Sequence, residues 1–497
     1  MADDPKDAVF DVLVIGGGGS GLAAAIEARE AGASVTLLEK NPRLGGSTAW
    51  SIGSISATQT PHQRAQGIED NPQQHWEDMP KFAGGMDRPD NDALRKILCD
   101  EVPAAFQWLL DSGVRFMGPM PEPPHRLPRM HNVLPNSRSY IYHLEKRARR
   151  DGVDIRCNTR VIELVTEKGR VIGARVERDG QTQLFRGING VILAAGDFTN
   201  SPELKARFMG PREAKVEAIN MTATGDGQKM AEALGATVLN GDLALGPELR
   251  FIPPQKETLV RRLPPWRALA VFMQWSMGHL PPAILRPFLM QFLTTALAPS
   301  LSLFEAGAVL VNQNGQAVHD EPKKLAYALA DELGNRGWII FGQEIAQRFS
   351  AWPDFISTAP GVAYAYLADY ARNRKDIYAR ADSIKALASH LKMREPLLQE
   401  ALGHQAMTGP YIALGPVRSV FVHNEGGLKV DTSHRVLDAH EQPIDGLYAV
   451  GSTGQGGLLL KGHGHHIAWA FVSGRRAGKL VAAARPGTRR ASNPPQE

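Results

Sequence analysis

The sequence predicts an α/β fold built on a parallel sheet, and three observations near the N-terminus indicate this class. An apolar run over residues 12–15 is typical of a buried strand, and an alanine-rich stretch from Leu22 to about Ala31 is typical of a helix. A second apolar run, residues 34–38, follows Gly32. Because parallel neighbouring strands need a crossover, usually a helix, this order predicts two adjacent parallel strands.

The turn between the first strand and the helix is rich in glycine. Gly16, Gly18 and Gly21 have the G-x-G-x-x-G spacing, and Ser20 lies within it. Glycine permits a tight turn and lets the backbone approach a pyrophosphate, while the N-terminus of the helix attracts that anion. The motif stands in its full strand–helix–strand context, and it therefore predicts a dinucleotide site.

The acidic residue after the second strand narrows the identity of the dinucleotide. Glu39, followed by Lys40, is placed to accept both hydroxyls of an adenosine ribose. A carboxylate at this place would repel a 2′-phosphate. The sequence therefore favours FAD or NAD over NADP.

Length and composition limit the class further. A chain of 497 residues is too long for one core and predicts two domains, and a net charge of +4 gives no sign of a nucleic-acid partner. Cys99 and Cys157, without a C-x-x-C, exclude a disulfide framework, an iron–sulfur cluster, a thiolate zinc site and c-type haem attachment. The N-terminus has no basic segment followed by an apolar one, so we predict a cytoplasmic protein. Residues 486–497 are predicted to be disordered.

One glycine-rich segment follows Glu39 closely. It contains Gly45, Gly46, Ser47 and Thr48, and then Gly53. Glycine can approach a planar ring where larger residues cannot, so we predict that this segment contacts the ligand. A surface loop of the same composition is the alternative.

Two later segments also suggest ligand contacts. An apolar run from Val191 ends in Ala195 and Gly196, as expected where a strand end touches a dinucleotide. Asp226 lies between two glycines before a predicted helix over 228–234. It can cap that helix or accept hydroxyls from a polyol such as ribitol.

The intervening chain shows helix and strand patterns with less chemical content. A helix is predicted over 138–150 and strands over 153–156, 160–166 and 171–178, and Val161 is a predicted cofactor contact. Three histidines in this region carry no motif, and we expect surface or hydrogen-bonded residues: His125, His131 and His143.

The C-terminal part adds three motifs: residues 426–431 (GGLKVD), residues 444–451 (IDGLYAVG), and a glycine-rich loop entering a helix that contains Ser-Gly-Arg at 473–475. With the N-terminal fingerprint and the Gly-Gly-Ser-Thr and Thr-Gly-Asp-Gly segments, the chain resembles the flavoprotein family of fumarate reductase and 3-ketosteroid dehydrogenase. The resemblance implies an α/β fold with a Rossmann-like FAD-binding domain that is split in sequence by an inserted α+β cap (substrate) domain. The implied division is 1–245 and 413–485 for the FAD-binding domain, 246–412 for the cap, and 486–497 for the tail.

The resemblance also implies how FAD is held. A helix beginning near His465 points at the flavin, where a helix N-terminus stabilises the negative charge of the reduced ring. Gly451, His465, His466 and Ile467 are therefore assigned to FAD. A single G-x-G-x-x-G offers no second site for NAD(P)H. The Gly-Gly-Ser-Thr segment lacks the histidine of members with a histidyl–FAD bond, so FAD is expected to be non-covalent.

The loop before that helix contains several polar candidates. His463, His465 and His466 lack the i, i+4 pairing and a nearby acidic partner, so no metal site is predicted. A histidine that donates a hydrogen bond to flavin or substrate is favoured instead, and Lys461 is the other polar group expected to face the substrate.

The chain departs from the family at its substrate clamp. His423 matches the histidine that precedes the Gly-Gly pair. At the position of the family's proton-donor arginine, this chain has Pro-Lys-Lys-Leu (322–325). At the position of another substrate histidine it has Ile-Pro (252–253), and Lys461 replaces an arginine of the C-terminal loop. Two carboxylates would be poorly paired in such a site, which disfavours a fumarate-type substrate.

The ketosteroid dehydrogenase pattern is also incomplete. Its Tyr-Pro-Gly turn is missing from the C-terminal loop. Tyr411 and Tyr327 are possible phenolic acids or bases, with an ordinary core or surface position as the alternative, favoured more for Tyr327.

We therefore predict an FAD-dependent dehydrogenase or reductase acting on a CH–CH bond next to a carbonyl-type group. Hydride would pass between a substrate carbon and flavin N5, with His423, then Lys461 or His463, holding or protonating the polarised end. The predicted substrate is apolar and ketosteroid-like or a cyclic ketone, and the electron acceptor is external, such as a quinone. Three alternatives stay open: a reductase of an activated alkene or carboxylate, a flavin oxidase or hydroxylase, and a flavoprotein without catalysis.

Residues 255–304 fit the family least. They are apolar and aromatic but offer no stretch of the ~20 apolar residues that a membrane span needs. Their charge is one-sided, with Glu257 facing five cations: Lys256, Arg261, Arg262, Arg267 and Arg286. This composition predicts peripheral docking on the inner membrane face. An apolar substrate tunnel or a dimer interface fits the same residues, and the oligomeric state is left open.

Overall fold

Two sheets organise the computed structural model of this chain. It describes residues 7–84, 86, 88–178, 181–254, 262–281, 286, 290–291, 294–295, 297–359, 363–403 and 407–484. The predicted tail lies outside these residues, as do several positions of the predicted membrane segment: Lys256, Glu257, Arg261, Phe288 and Phe292.

The strands follow one another along the chain as β1 Ala8–Ile15, β2 Val35–Leu38, β3 Ser54–Ser56, β4 Arg115–Met120, β5 Met130–Leu134, β6 Asp154–Arg156, β7 Arg160–Glu167, β8 Arg170–Arg178, β9 Gln181–Leu193, β10 Glu217–Ala218, β11 Val238–Leu239, β12 Ala244–Leu245, β13 Glu248–Phe251, β14 Val309–Asn312, β15 Gly337–Phe341, β16 Ser357–Ala359, β17 Ala363–Ala365, β18 Tyr378–Ala381, β19 Tyr411–Phe421, β20 His423–Asn424, β21 Gly427–Leu428, β22 Arg435–Leu437 and β23 Pro443–Ala449. The helices are α1 Gly19–Glu30, α2 Gly46–Trp50, α3 Pro61–Ala65, α4 Pro72–Asp78, α5 Asp92–Asp111, α6 Arg138–Arg150, α7 Pro202–Phe208, α8 Asp226–Glu232, α9 Arg267–His279, α10 Ser302–Glu305, α11 Leu325–Asp331, α12 Gln343–Arg348, α13 Leu367–Asn373, α14 Ile384–Leu391, α15 Glu395–Gly403 and α16 His465–Ala483. Short 3₁₀ turns lie at Met79–Ala83, Glu213–Lys215, Pro322–Lys324 and Leu333–Asn335.

The first sheet has the strand order β22-β23-β9-β1-β2-β6; β8 also pairs with β9, and β7 pairs with β8. Strand β1 is parallel to β2 and to β9, so the predicted parallel pair is confirmed. Strand β23, from the C-terminal part of the chain, is parallel to β9. One sheet is thus assembled from both ends of the sequence, as the prediction of a split domain requires.

Helices α1 and α16 pack closely over this sheet. A Cβ atom added at Gly474 would lie 2.4 Å from the Ser20 carbonyl oxygen, and one at Gly478 would lie 2.3 Å from that of Ala24. Only glycine allows this approach. The contact brings the N-terminal half of α16 against the glycine-rich turn of β1–α1.

The second sheet has the order β10-β19-β15-β14, and β13 and β18 also pair with β19. Its long strand β19 runs from Tyr411 to Phe421 and pairs with three strands of the cap. The predicted boundary after residue 412 falls within this strand, and the division into domains stays a prediction.

Two short ribbons join the sheets. Strand β12 is antiparallel to β20, with Leu245 opposite His423, and β11 is antiparallel to β21. His423 consequently lies at the junction of the two domains. Among the helices that the structure describes, none combines the length and apolar character needed to cross a membrane.

Candidate active site

The glycine-rich turn forms the first part of a dinucleotide site. A Cβ at Gly16 would lie 2.3 Å from the Ala194 carbonyl oxygen, and one at Gly21 would lie 1.9 Å from that of Gly16, so both positions need glycine. The Glu39 carboxylate is buried beside the turn and accepts the Gly17 N–H at 2.8 Å. Gly16, Gly21 and Glu39 thus lie around one turn, and their contacts with FAD stay a prediction.

Segment 45–48 closes over the same turn. The Gly45 N–H donates to the Gly17 carbonyl at 3.0 Å, and the Gly19 N–H donates to Thr48 Oγ1 at 3.2 Å. Gly196 has a φ of 82°, and a Cβ added there would meet nothing within 4 Å. The bare backbone of Gly196 therefore faces open space, which suits a flat ligand.

Gly53 differs from these glycines. A Cβ there would lie 2.5 Å from the Val133 side chain, and the Gly53 carbonyl accepts the Tyr140 hydroxyl at 3.0 Å. Close packing within the protein therefore explains the need for glycine at position 53, and no ligand contact is required to explain it. Val161 is likewise buried in the core on β7.

Asp226 does not cap the helix that it begins. Gly225 precedes α8 in the left-handed conformation, and the helix has no side-chain cap. The Asp226 carboxylate instead accepts Lys40 Nζ at 2.8 Å, and Lys40 also donates to Thr224 Oγ1 at 2.6 Å. These groups line a cleft of about 700 Å³, together with Asn41 and Arg160. The contact of Asp226 with a polyol stays a prediction.

Two helix N-termini next to the glycine-rich segments lack capping side chains and can accommodate anionic or electron-rich groups. Helix α1 follows Gly18 and α16 follows Gly464, neither has a side-chain cap, and neither has an acid in its first turn. Their first N–H groups and positive dipole ends suit a pyrophosphate and a reduced flavin ring, respectively. The residues present therefore fit FAD.

A buried carboxylate lies between two imidazoles at the domain junction. Glu425 Oε1 lies 3.2 Å from His466 Nε2 and 3.5 Å from His423 Nε2. The other oxygen, Oε2, accepts a short hydrogen bond from Gln455 Nε2 and the Leu460 N–H at 3.4 Å. The two imidazole centroids are 4.0 Å apart. Strand β20 and the first turn of α16 thus supply one compact acid–base group.

The charges in this group follow from its surroundings. Burial opposes ionisation of Glu425, yet His466 and the hydrogen bonds from both imidazoles hold the pKa of its carboxyl well below the usual value. Burial, with a smaller contribution from His466, lowers the pKa of His423, and Glu425 only partly opposes this. At neutral pH, Glu425 is therefore a carboxylate and His423 a neutral imidazole.

The three histidines of the glycine-rich loop enter three different environments. His463 Nδ1 lies 2.5 Å from Glu122 Oε1, and this hydrogen bond raises the pKa of His463. His465 is buried, lies 3.4 Å from His75 through the two Nε2 atoms, and donates from Nδ1 to the Lys461 carbonyl. His466 contacts Glu425. The expectation that no acid lies near these histidines is therefore wrong, because Glu122 and Glu425 come from distant parts of the chain.

Neither histidine cluster requires a metal to explain its contacts. His75, His125 and His465 are close enough to share an ion, as are His423, Glu425 and His466. In the first group, however, His125 Nδ1 accepts from the Arg129 guanidinium at 3.0 Å, and that cation opposes a second positive charge. The second group satisfies its carboxylate with imidazole, amide and backbone donors. The expectation of no metal stays a prediction.

Lys461 and Tyr411 have contrasting positions. Lys461 lines a cavity of about 190 Å³ with apolar neighbours that include Met79 and Leu459, and it has no ion-pair partner among the described residues. Tyr411 begins β19, whereas His423 follows the far end of that eleven-residue strand. Tyr411 packs against the cluster around Leu387 and Leu398, so the prediction that it acts at the site is not supported by its place in the fold.

Sequence reasoning missed Glu425 and Gln455. Glu425 stands two residues after His423 and just before the Gly-Gly pair, which was the available signal. Its importance depends on His466, which lies 41 residues further along the chain. His125 and His131, expected to be surface or hydrogen-bonded residues, are buried and hydrogen-bonded.

The fold and this site together define an FAD-binding oxidoreductase. The chain belongs to the family described as FAD binding domain, whose model matches residues 11–260 and 281–459. It is 28% identical to a probable fumarate reductase of Shewanella frigidimarina (strain NCIMB 400), over 95% of this chain and 74% of that protein. It is 26% identical to the vinyl phenol reductase of Lactiplantibacillus plantarum, over 95% of this chain and 96% of that protein.

Solved structures share the architecture. The open conformation of a flavocytochrome c3 fumarate reductase superposes with a TM-score of 0.72 at 24% identity, covering 97% of this chain and 79% of that one. The 3-ketosteroid-Δ4-(5α)-dehydrogenase of Rhodococcus jostii RHA1 gives 0.60 at 21% identity, covering 97% and 98%. The family predicted from the motifs, the FAD cofactor and the fold are confirmed. The non-covalent attachment of FAD stays a prediction.

Proposed function

We propose that this enzyme holds FAD non-covalently and oxidises or reduces a carbon–carbon bond next to a carbonyl-type group of an apolar small molecule. The observation that carries the proposal is Glu425, buried between His423 and His466 at the domain junction. The glycine-rich turn, Glu39, Asp226 and the N-terminus of α16 would hold FAD. When bound, FAD supplies two-electron chemistry by accepting or donating hydride.

In this proposal His423 moves the proton that accompanies the hydride. Its Nε2 faces Glu425 at 3.5 Å, and its Nδ1 has no hydrogen-bond partner among the described residues. A carboxylate at Nε2 favours the tautomer that carries its proton there and leaves the Nδ1 lone pair open. With 25% of its side chain exposed, His423 remains accessible to a ligand. Glu425 then stabilises the imidazolium that forms when His423 takes a proton, as in other carboxylate–histidine pairs.

The substrate class follows from which charges the site lacks. The groups around Glu425 are two imidazoles, an amide and a backbone N–H, and none of them is a guanidinium. A dicarboxylate needs cations for both ends in a closed site. The cavity beside Lys461 offers Met79, Met86 and Leu459 as apolar lining. These features support a largely apolar substrate with one polarised oxygen.

The Lys461 ammonium favours a second candidate, a reductase of an unsaturated monocarboxylate. Among the lining residues of its cavity, Arg88 is paired with Asp242 and Asp90 with Arg95, whereas Lys461 is the cation left to meet an anion. Names of related proteins, such as vinyl phenol reductase, urocanate reductase and acrylate reductase flavoprotein subunit, are compatible with both candidates. The electron partner is proposed to be an external carrier such as a quinone.

The test begins with anaerobic bleaching of the bound FAD by ketosteroids, cyclic ketones and saturated carboxylates. Reduced enzyme is then reoxidised with vinyl phenols, enones and unsaturated monocarboxylates. Bleaching by ketones supports the first candidate, and reoxidation by monocarboxylates that is lost in Lys461→Met supports the second. FAD whose redox state changes with none of these compounds would contradict both. Rapid peroxide formation in air would indicate an oxidase or hydroxylase instead.

His423→Gln tests the proton role separately. We expect FAD content to stay unchanged and turnover to fall by about 10²-fold or more, the usual contribution of a positioned acid or base. His440→Gln, at an exposed turn of the FAD-binding domain, is the matched control. Unchanged turnover in His423→Gln would remove His423 from the mechanism.

A further inference from the structure

Helix α9 presents its apolar face outward. Trp266, just before the helix, and Phe272 and Trp275 within it have exposed fractions of 60%, 61% and 50%. Val271 is also exposed, and it lies next to Phe272 and one turn before Trp275. Residues three and four apart share one side of a helix, so Val271, Phe272 and Trp275 form one continuous stripe, and Trp266 lies just before the N-terminal end of the helix. We call Val271, Phe272 and Trp275 the α9 face.

The opposite side of α9 is the one that meets the protein. Ala270 is buried, and Gln274 Nε2 lies 3.2 Å from His62 Nε2. A polar amide thus faces inward while aromatic rings face outward, which reverses the usual arrangement of a surface helix. A contiguous apolar surface of this kind marks an interaction site.

The charge around the α9 face indicates what kind of partner it binds. Arg262 and Arg267 flank its N-terminal end, both are exposed, and neither has an ion-pair partner among the described residues. No Asp or Glu occurs between residues 262 and 281. Burial and the nearby Arg267 lower the pKa of Arg115, with Asp111 as the opposing acid, so positive charge is concentrated here.

We propose that the α9 face docks on an anionic membrane surface. Aromatic side chains insert at the boundary between lipid headgroups and acyl chains, and adjacent arginines are attracted by anionic headgroups. A second copy of the chain fits less well. In a twofold interface each patch meets its own copy, which would bring Arg262 and Arg267 towards the same cations. The proposal does not depend on the substrate chosen above.

Flotation of the FAD-loaded full chain with lipid vesicles tests this proposal. We expect it to float with phosphatidylcholine–phosphatidylglycerol vesicles at low salt, and much less with phosphatidylcholine alone or at high salt. The Phe272→Ala/Trp275→Ala variant should lose about tenfold or more in partitioning, because it removes two large apolar contacts. Arg262→Gln/Arg267→Gln should lose about fivefold per arginine on the anionic vesicles only.

Matched controls separate docking from damage to the fold. Trp352→Ala removes a Trp with an exposed fraction of 64% from another part of the cap and should float like the parent. Every variant should keep its FAD content and its turnover with a water-soluble acceptor. A parent protein that stays unbound at low salt overturns the proposal, as does undiminished flotation of Phe272→Ala/Trp275→Ala. A dimer in sedimentation equilibrium that this variant dissolves would assign the face to a second copy and also overturn it.

Discussion

His465 and His466 are neighbours in sequence, yet their imidazoles enter different chemical environments. His466 contacts Glu425 and lies against His423, whose side chain is partly exposed. His465 lies in a closed group with His75, His125 and Phe82, and no carboxylate among the described residues bonds to it directly. We call His423, Glu425 and His466 the acidic cluster, and His75, His125 and His465 the closed cluster.

The difference between the clusters is in their ability to carry a proton. In the acidic cluster an ionised carboxylate can balance an imidazolium. In the closed cluster burial lowers the pKa of all three imidazoles, to about 2 for His125. Asp78 lies 4.0 Å from His125 but is already paired with Arg129, and a buried histidine whose acidic neighbour is compensated by another cation stays neutral. In the proposed mechanism the same residue type therefore serves proton transfer in the acidic cluster, whereas it only packs and hydrogen-bonds in the closed cluster.

Glu425→Gln should have the largest effect on the enzyme. The substitution keeps the shape but removes the charge that orients both imidazoles and balances a proton on them. We expect turnover to fall by about 10²–10⁴-fold, with FAD still bound. Steady-state kinetics and the visible flavin spectrum measure the two quantities.

The control for that variant is Glu441→Gln, which changes an exposed carboxylate paired with Lys429. It should behave like the parent. If Glu425→Gln retained most of its turnover, the acidic cluster would be structural, and the distinction between the two clusters would fail.

Arg129→Met should destabilise the surroundings of the closed cluster instead. Arg129 is fully buried and bonds Asp70 at 2.7 Å and Asp78 at 2.6 Å. Removing it leaves buried carboxylates without their partner, which costs about 3–5 kcal/mol of unfolding free energy. Lys81 and Arg126 still contact Asp78, so the lower part of that range is expected.

Denaturant unfolding measures this loss, and turnover per FAD-loaded molecule should change little. Arg88→Met, which breaks an exposed pair with Asp242, should cost about 0–1 kcal/mol. Equal losses of unfolding free energy in the two variants would show that burial of the Arg129 ion pairs does not increase their contribution to stability.

The closed cluster also predicts how stability depends on pH. An unfolded histidine takes up a proton below about pH 6.5, whereas folded His125 does so only near its pKa of about 2. Its contribution to stability is therefore complete above pH 6.5 and is lost as pH falls below that value, by up to about 1.4 kcal/mol per pH unit. His125→Gln should make the decline in unfolding free energy between pH 7 and pH 5 shallower by that amount. A slope equal to that of the parent would indicate that His125 is protonated in the fold.

His463 should show the opposite sign and the smallest effect. Its hydrogen bond with Glu122 raises its pKa, so it contributes stability at low pH that is lost as pH rises through the raised value. More than half of its side chain is exposed, so solvent weakens this contribution. His463→Gln should lower the unfolding free energy slightly at pH 5 and leave it unchanged at pH 8. A loss of the same size at both pH values would mean that protonation of His463 does not contribute to the stability of the fold.

The sequence predicted well wherever the signal is local. The strand–glycine turn–helix unit, the helix over 138–150 and the start of α16 near His465 agree with the observed elements to within a few residues. Helix α8 begins two residues before its predicted start. The apolar pattern of β19 does not reveal which sheet this strand joins, so the boundary between the cap and the second part of the FAD-binding domain stays a prediction.

The sequence by itself determined the dinucleotide unit, the FAD family and His423 as a candidate. These depend on glycine spacing, apolar periodicity and residues that are near one another in the chain. Only the tertiary structure decided that Glu425 meets His466 and that His465 meets His75, across 41 and 390 residues. The physical reason is that the charge state and chemistry of a buried side chain depend on its neighbours in space, and two sheets built from distant segments bring those neighbours together.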